Sequence, residues 1–206
     1  MMASGNLYVI AAPSGTGKTT LVKALTNLMP NTTVSISHTT RPKRPNETDG
    51  IDYYFIDTTQ FEQMITQQDF LEHATIFDNY YGTSKQWVTE TLLKGINVIL
   101  EIDWQGHQQI KHLFPTSISI FIIPPSLNDL RDRLVTRNQD AAHIIKKRLA
   151  DAKKTLSHIN EFDYVVINDD FTKAVSDLKL IIEAGRLLQK SQATKLANLI
   201  ANFSSL

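Results

Sequence analysis

Gly15, Gly17, Lys18 and Thr19 stand within the stretch Ala12-Pro13-Ser14-Gly15-Thr16-Gly17-Lys18-Thr19. The apolar run Leu7–Ala11 precedes it, and a segment carrying Leu21, Leu25 and Leu28 at helical spacing follows. The order is strand, glycine-rich turn, helix. Such a turn gathers backbone N–H groups and a lysine ammonium around one small volume, which suits a phosphate. Lys18 can reach β- and γ-phosphate oxygens, the Thr19 hydroxyl can ligate magnesium, and the positive end of the helix favours the anion. Ala12 stands where this kind of loop usually carries its first glycine; Gly15 and Gly17 supply the conformational freedom inside the turn.

A magnesium ion calls for an acidic partner near the end of another core strand. Glu101 and Asp103 close the run Val98-Ile99-Leu100-Glu101-Ile102-Asp103. Two residues apart on a strand, they are expected on one face. A third group of residues suits a second anion. Arg41 and Arg44 flank Pro42 and Lys43, and such a pair can grip a phosphate with fork geometry. Tyr53 and Tyr81 add hydroxyl donors without adding charge. Glu72, after Phe70 and Leu71, can accept two hydrogen bonds from the N1–H and N2–H₂ edge of a guanine. Each has a bland reading as surface turn, core packing or solvated charge; their joint presence beside a phosphate loop gives the functional reading its weight.

The elements that must hold these groups are legible as apolar runs. Leu7–Ala11, Val34–Ile36, Ile96–Ile102, Ile118–Ile123 and Tyr164–Ile167 read as buried strands of a parallel sheet covered on both faces. Helical patterns over Thr20–Met29, Leu127–Arg137, Ile144–His158 and residues 172–190 lie between or after them, which predicts a three-layer α/β fold. From His38 to about Phe77 the chain turns polar and aromatic, with short strands expected at Asp52–Phe55 and Ala74–Phe77. A helix from Gln60 to Gln68, with Thr59 and Glu62 at capping-box spacing, lies between them. This region reads as a lobe inserted beside the core. The segment from about Asn128 to Ala150, opened by Ser126 and Asp129 as a helix start, reads as a basic lid. The tail from Ser191 to Leu206 carries no decisive pattern.

Composition narrows the class. The 206 residues are 42% hydrophobic and 20% charged, enough for one globular domain. Lys+Arg and Asp+Glu both number 21, so no general field gathers nucleic acid. Absence of cysteine excludes disulfides, zinc–thiolate sites and thiol nucleophiles. No segment approaches the ~20 apolar residues of a membrane span, and no leader pattern opens the chain, so a cytoplasmic protein with no membrane partner is expected.

With these residues in place, the sequence resembles the bacterial guanylate kinases, nucleoside monophosphate kinases of the P-loop fold. The resemblance spans residues 5–188. It is carried by Ala12–Thr19, Ser35–Arg41 with Arg44, Gly50–Tyr53, Phe70-Leu71-Glu72, Asn79–Thr83, Glu101–Gly106, Pro124-Pro125-Ser126 and Val166–Asp170. It implies a single domain over 1–206: core with phosphate loop (1–37), GMP-binding lobe (38–95), core (96–125), lid (126–150), and core with C-terminal helices (151–206). It also implies ATP-dependent phosphorylation of GMP, and of dGMP, with magnesium as cofactor and ATP as donor. Pro13, Ser14, Gly15, Thr16, Gly17, Lys18, Thr19 and Thr20 would hold ATP, with Arg133, Arg137 and, near the adenine, Asn168. Ser37, Arg41, Arg44, Tyr53, Glu72, Tyr81, Gly82, Thr83 and Asp103 would hold GMP. Lys18, Arg41, Arg137 and Arg148 would be catalytic, Lys18 at the donor phosphates, Arg41 at the acceptor phosphate and Arg137 and Arg148 at the transferred group, and Thr19, with Glu101 through a water molecule, would hold the metal. Two further departures are Glu101, where aspartate is usual, and Asn138 after Arg137, where glycine is usual. No histidine is needed as base, because the acceptor phosphate is already anionic; His38 and His73 read as polar packing. Kinases of other specificity and an inactive interaction module of the same fold are the alternatives; monomer and homodimer both stay open.

Overall fold

The structure is a computed structural model and describes residues 4–136 and 142–203. Its main sheet is built from the apolar runs. β1 (Leu7–Ala11) is buried along its whole length and sits at the centre. β2 (Thr32–Val34), β7 (Asn97–Glu101), β8 (Ile118–Ile123) and β9 (Tyr164–Ile167) complete the order β2-β7-β1-β8-β9, all parallel. Alternation along β1 sorts the core into two layers. Tyr8 and Ile10 pack with Leu21, Val22 and Leu25 of α1 (Lys18–Leu28) and with Leu178 and Ile182 of α7 (Phe171–Gly185). Leu7, Val9 and Ala11 point the other way, onto Val88 of α3 (Lys85–Leu93) and Ile110 of α4 (Trp104–Leu113). Both faces of the sheet are therefore covered at its centre, which is why β1 reads as an unbroken apolar run.

The inserted lobe is a second sheet. β3 (His38–Thr39) pairs parallel with β4 (Tyr54–Phe55) and antiparallel with β6 (Asn79–Ser84), which pairs with β5 (Phe70–Ile76). α2 (Thr58–Thr66) lies between β4 and β5 in sequence. Leu71 of β5 belongs to the same apolar cluster as β1 and β7, so the lobe shares the core rather than hanging from a linker. α5 (Leu127–Thr136) and α6 (Ala142–Leu156) lie in, and run past the end of, the segment read as a lid, and Leu130 and Leu134 bury against Ala152. α8 (Gln189–Lys195) and α9 (Ala197–Phe203) end the described chain. No helix among the described residues is long and apolar enough to cross a membrane.

Several expectations shift. β2 covers Thr32–Val34, not Val34–Ile36, because its register is set by pairing Thr32 with Asn97 and Val34 with Ile99. The helix expected from Gln60 begins at Thr58; Asp57 is its cap, accepting from the Gln60 N–H at 2.7 Å, so the Thr59/Glu62 box is not the one used. Phe77 leaves the strand: it and Asp78 take positive φ (48° and 64°) in the two-residue turn between β5 and β6. Ser126 does cap α5, its hydroxyl accepting from the Asp129 N–H at 3.0 Å. The long helix expected over 172–190 stops at Gly185.

Candidate functional site

The glycine-rich turn leads from the carboxyl end of β1 into α1. Gly17, the residue before the helix, has φ 94°, and a Cβ there would come within 2.7 Å of the Asn168 amide. Only glycine meets both demands. The turn is held from outside by two residues that the family resemblance assigns to the donor nucleotide. Asn168 Nδ2 donates to the Thr16 carbonyl at 2.6 Å. Arg133 donates to the same carbonyl at 3.3 Å and to the Asn168 carbonyl at 2.9 Å. Asn168 and Arg133 thus brace the loop's shape rather than the space above it. Arg137 lies outside the described residues.

Above the loop opens a cavity of ≈ 540 Å³. The loop residues from Ala12 to Thr20 form its floor. Ser37 enters just before β3, Arg44, Tyr53, Glu72 and Tyr81 from the inserted lobe, and Arg148 from α6. Glu101 and Asp103 line it from the end of β7 and the start of α4. A second cavity of ≈ 330 Å³, lined by Asn6, Leu92 and Ser117 among others, does not touch the loop.

Electrostatics distinguish the groups in the larger cavity. Lys18 Nζ donates to the Ile102 carbonyl at 3.4 Å. Loss of water around the ammonium pulls its pKa down, and the charges of Glu101, Asp103 and Glu72 oppose that without cancelling it. The Thr19 hydroxyl donates to Glu101 Oε2 at 2.9 Å, which puts two hard oxygens together at the loop's edge. Asp103 departs from its expected place. β7 ends at Glu101, and Asp103 instead caps α4, taking the N–H groups of Gln105 and Gly106 at 3.0 Å each and the Gln105 side-chain amide at 2.9 Å. The two carboxylates are therefore not a pair on one strand face, because the chain turns into a helix between them.

Glu72 is the most perturbed acid. It is 4% exposed, and burial pushes its pKa up to about 7. The Thr83 hydroxyl, donating to Oε1 at 2.6 Å, lowers it; Asp103 raises it further; Lys18 lowers it. Thr83 is itself fully buried and acts on the carboxylate, not on the cavity. Gly82 makes room: a Cβ there would meet the Phe70 and Phe61 rings at 2.8–3.0 Å. Gly106 backs the carboxylate, where an added Cβ would lie 2.4 Å from Glu72 Oε2. Gly106→Ala is therefore expected to displace Glu72. Initial-rate kinetics should show KM for GMP rising about tenfold, with KM for ATP within about twofold.

Burial pushes the Tyr53 phenol up to about 12, so it stays a donor at neutral pH. Arg44 lines the cavity, whereas Arg41 does not. The Arg41 guanidinium lies 5.3 Å from the Tyr53 ring centre and donates to the Pro42 carbonyl at 2.8 Å and to Glu47 Oε1 at 2.7 Å. Glu47 escaped the sequence reading. The available signal was an acid three residues after Arg44 and six after Arg41 in a short turn. Asp151 and Lys154, also lining the cavity from α6, were read only as part of a helical pattern. His38 stacks on Tyr54 at 4.8 Å, as a packing residue does.

A family model described as guanylate kinase matches residues 4–185. A guanylate kinase of Coxiella burnetii is 52% identical over 200 residues, 97% of each chain. One of Saccharophagus degradans is 49% identical over 205 residues, the full length of both. A crystal structure of guanylate kinase from Anaplasma phagocytophilum superposes with a TM-score of 0.78 at 31% identity, covering 92% of this chain and 90% of that one.

Proposed function

Because the chain belongs to the guanylate kinase family and phosphorylates GMP with ATP, we propose that its cavity holds the two nucleotides end to end. The donor's phosphates lie over Ala12–Thr20, with Lys18 at the transferred group. The acceptor's phosphate lies against Arg44, Tyr53 and Tyr81, with Arg41 close behind them. Glu72, in its ionised form, takes the guanine edge, with Ser37 and Asp103 beside it. The single observation behind this reading is that Lys18 of α1, Glu72 of β5 and Arg44 of the loop between β3 and β4 open on one cavity. The single domain over 1–206 would work in five parts: core at 1–37, 96–125 and 151–206, acceptor lobe at 38–95, and lid at 126–150.

The reaction breaks the bond between the β–γ bridging oxygen and the γ-phosphorus of ATP and forms one from a GMP phosphate oxygen to that phosphorus. The attacking oxygen is already anionic, so no side chain has to remove a proton. Catalysis is then alignment and charge compensation. Lys18 meets charge on the donor side; Arg148, from the lid, would approach the transferred group, as would Arg137. Arg133 and Asn168 keep the loop in its cradle shape. Thr19 and Glu101 fit a magnesium ion, since a hydroxyl and a carboxylate already lie 2.9 Å apart at the loop's edge. When bound, that ion supplies positive charge against the donor phosphates.

The test is a coupled assay with ATP against GMP, dGMP, AMP, CMP and UMP. GMP and dGMP should react, and kcat/KM for AMP should be lower by at least about 100-fold, because adenine N1 offers Glu72 an acceptor instead of a donor. Comparable use of AMP would remove the assigned role of Glu72.

A further inference from the structure

Glu47 sits at the centre of the loop that carries both acceptor-side arginines. Oε1 accepts from Arg41 at 2.7 Å and lies 3.9 Å from the Arg44 guanidinium. Oε2 accepts from the Arg44 backbone N–H at 2.9 Å, and the Glu47 N–H donates to the Arg44 carbonyl at 3.1 Å. The Arg41 and Glu47 side chains are only 14% and 15% exposed. Burial pushes the Glu47 carboxyl up, but hydrogen bonds from Arg41 and the Arg44 N–H, with two guanidinium charges, outweigh it and hold the pKa below its ordinary value. The carboxylate is therefore ionised whenever the protein meets GMP near neutral pH.

A carboxylate between two phosphate-binding arginines could compete with the phosphate or could prepare its place. Two observations decide. Glu47 does not line the cavity, whereas Arg44, Tyr53 and Tyr81 do, so the carboxylate stands behind the wall and not in the phosphate's position. Its Oε2 is fastened to the backbone of the same loop, so it has no reason to leave when an anion arrives. Arg41 is also packed on the Tyr53 and Phe55 rings, at 5.3 and 5.7 Å. Glu47 completes the set of contacts that fixes the guanidinium's orientation. Building on the reading above, we propose that Glu47 is a positioning residue for the acceptor phosphate. It ties the Arg41 side chain and the Arg44 main chain into one preformed unit, so their ordering cost is met before GMP binds.

The experiment compares Glu47→Gln, which keeps the shape, and Glu47→Asp, which keeps the charge, with the unaltered protein. KM for GMP, KM for ATP, kcat at saturating GMP and the competitive inhibition constant of guanosine are measured for each. Glu47→Gln should raise KM for GMP at least about tenfold. kcat should stay within about threefold, KM for ATP within about twofold, and guanosine, which has no phosphate, should inhibit as before. Glu47→Asp should recover part of the loss. A lower KM for GMP would make Glu47 a competing anion and overturn the proposal. An unchanged KM would overturn it too, as would equal losses for GMP and guanosine, which would mark general damage to the lobe. Failure of the unaltered protein to prefer guanine nucleotides would instead count against the functional reading, so the two failures are distinguishable.

Discussion

Lys18→Met is expected to lower kcat about 10³-fold, a loss of about 4 kcal/mol of transition-state stabilisation. Methionine keeps the unbranched stem at the first position of α1 and removes only the charge. That charge is held where it matters: the ammonium is tethered by the Ile102 carbonyl and faces Glu101, Asp103 and Glu72. Its pKa is pulled down by loss of water, so the ammonium stands poorly hydrated, and an arriving phosphate strips little more water from it. An interaction prepared in this way is realised fully as charge develops on the transferred group. Single-turnover kinetics with saturating ATP and GMP check the expectation, with thermal melting to confirm the fold. A variant within tenfold of the normal rate would show that the donor phosphates lie away from this loop.

The sheet was easy to read and the lobe was not, for a physical reason. β1, β8 and β9 have the bounds expected of them: β1 and β8 are buried almost throughout, so their residues are nearly all apolar, whereas β9, an edge strand that buries only Val166, is marked by its β-branched and aromatic residues. β2 is an edge strand built from Thr32, Thr33 and Val34, so its place is decided by pairing with β7, a long-range fact. The turn between β5 and β6 is made by Phe77 and Asp78 in left-handed conformations, where asparagine and glycine are the usual signal; the hairpin was therefore invisible locally. α4 has few apolar residues, and its start is marked by Asp103, which the run before it had made look like a strand residue.

The same division holds for the site. Lys18, Thr19, Arg44 and Glu72 could be picked out because their chemistry is written in residue type and spacing. The contacts of Asn168 and Arg133 with the loop are not legible in the same way: their partner is the Thr16 carbonyl, and a main-chain acceptor has no sequence signature. Glu47 was missed because an acid near two arginines in a turn resembles an ordinary surface ion pair, which contributes little. What distinguishes it is the partial burial of both side chains, and on the Arg41 side that depends on the packing of Tyr53 and Phe55 around the guanidinium.

Glu72→Gln should separate two properties that the natural residue sets against each other. A carboxyl raised from 4.5 to about 7 keeps its proton in the folded chain after the unfolded chain has lost it. Stability then falls as pH rises from about 4.5 to about 7, and the full cost, of order 3 kcal/mol, is present above that. Glutamine carries no such cost, so the variant's melting temperature should exceed that of the unaltered protein at pH 8 by several degrees, and the gap should close towards pH 5. Recognition runs the other way. Only the ionised carboxylate accepts from both guanine donors, whereas an amide turns one donor against another. KM for GMP should rise about 100-fold at pH 8 in the variant. In the unaltered protein, guanine binding should weaken about tenfold between pH 8 and pH 6, as the carboxyl gains its proton. Guanosine as a competitive inhibitor reads this cleanly, because it has no phosphate to titrate over the same range. The inhibition constant should be pH-dependent in the unaltered protein and flat in Glu72→Gln. A flat profile in both would mean that the buried acid is not what meets the base.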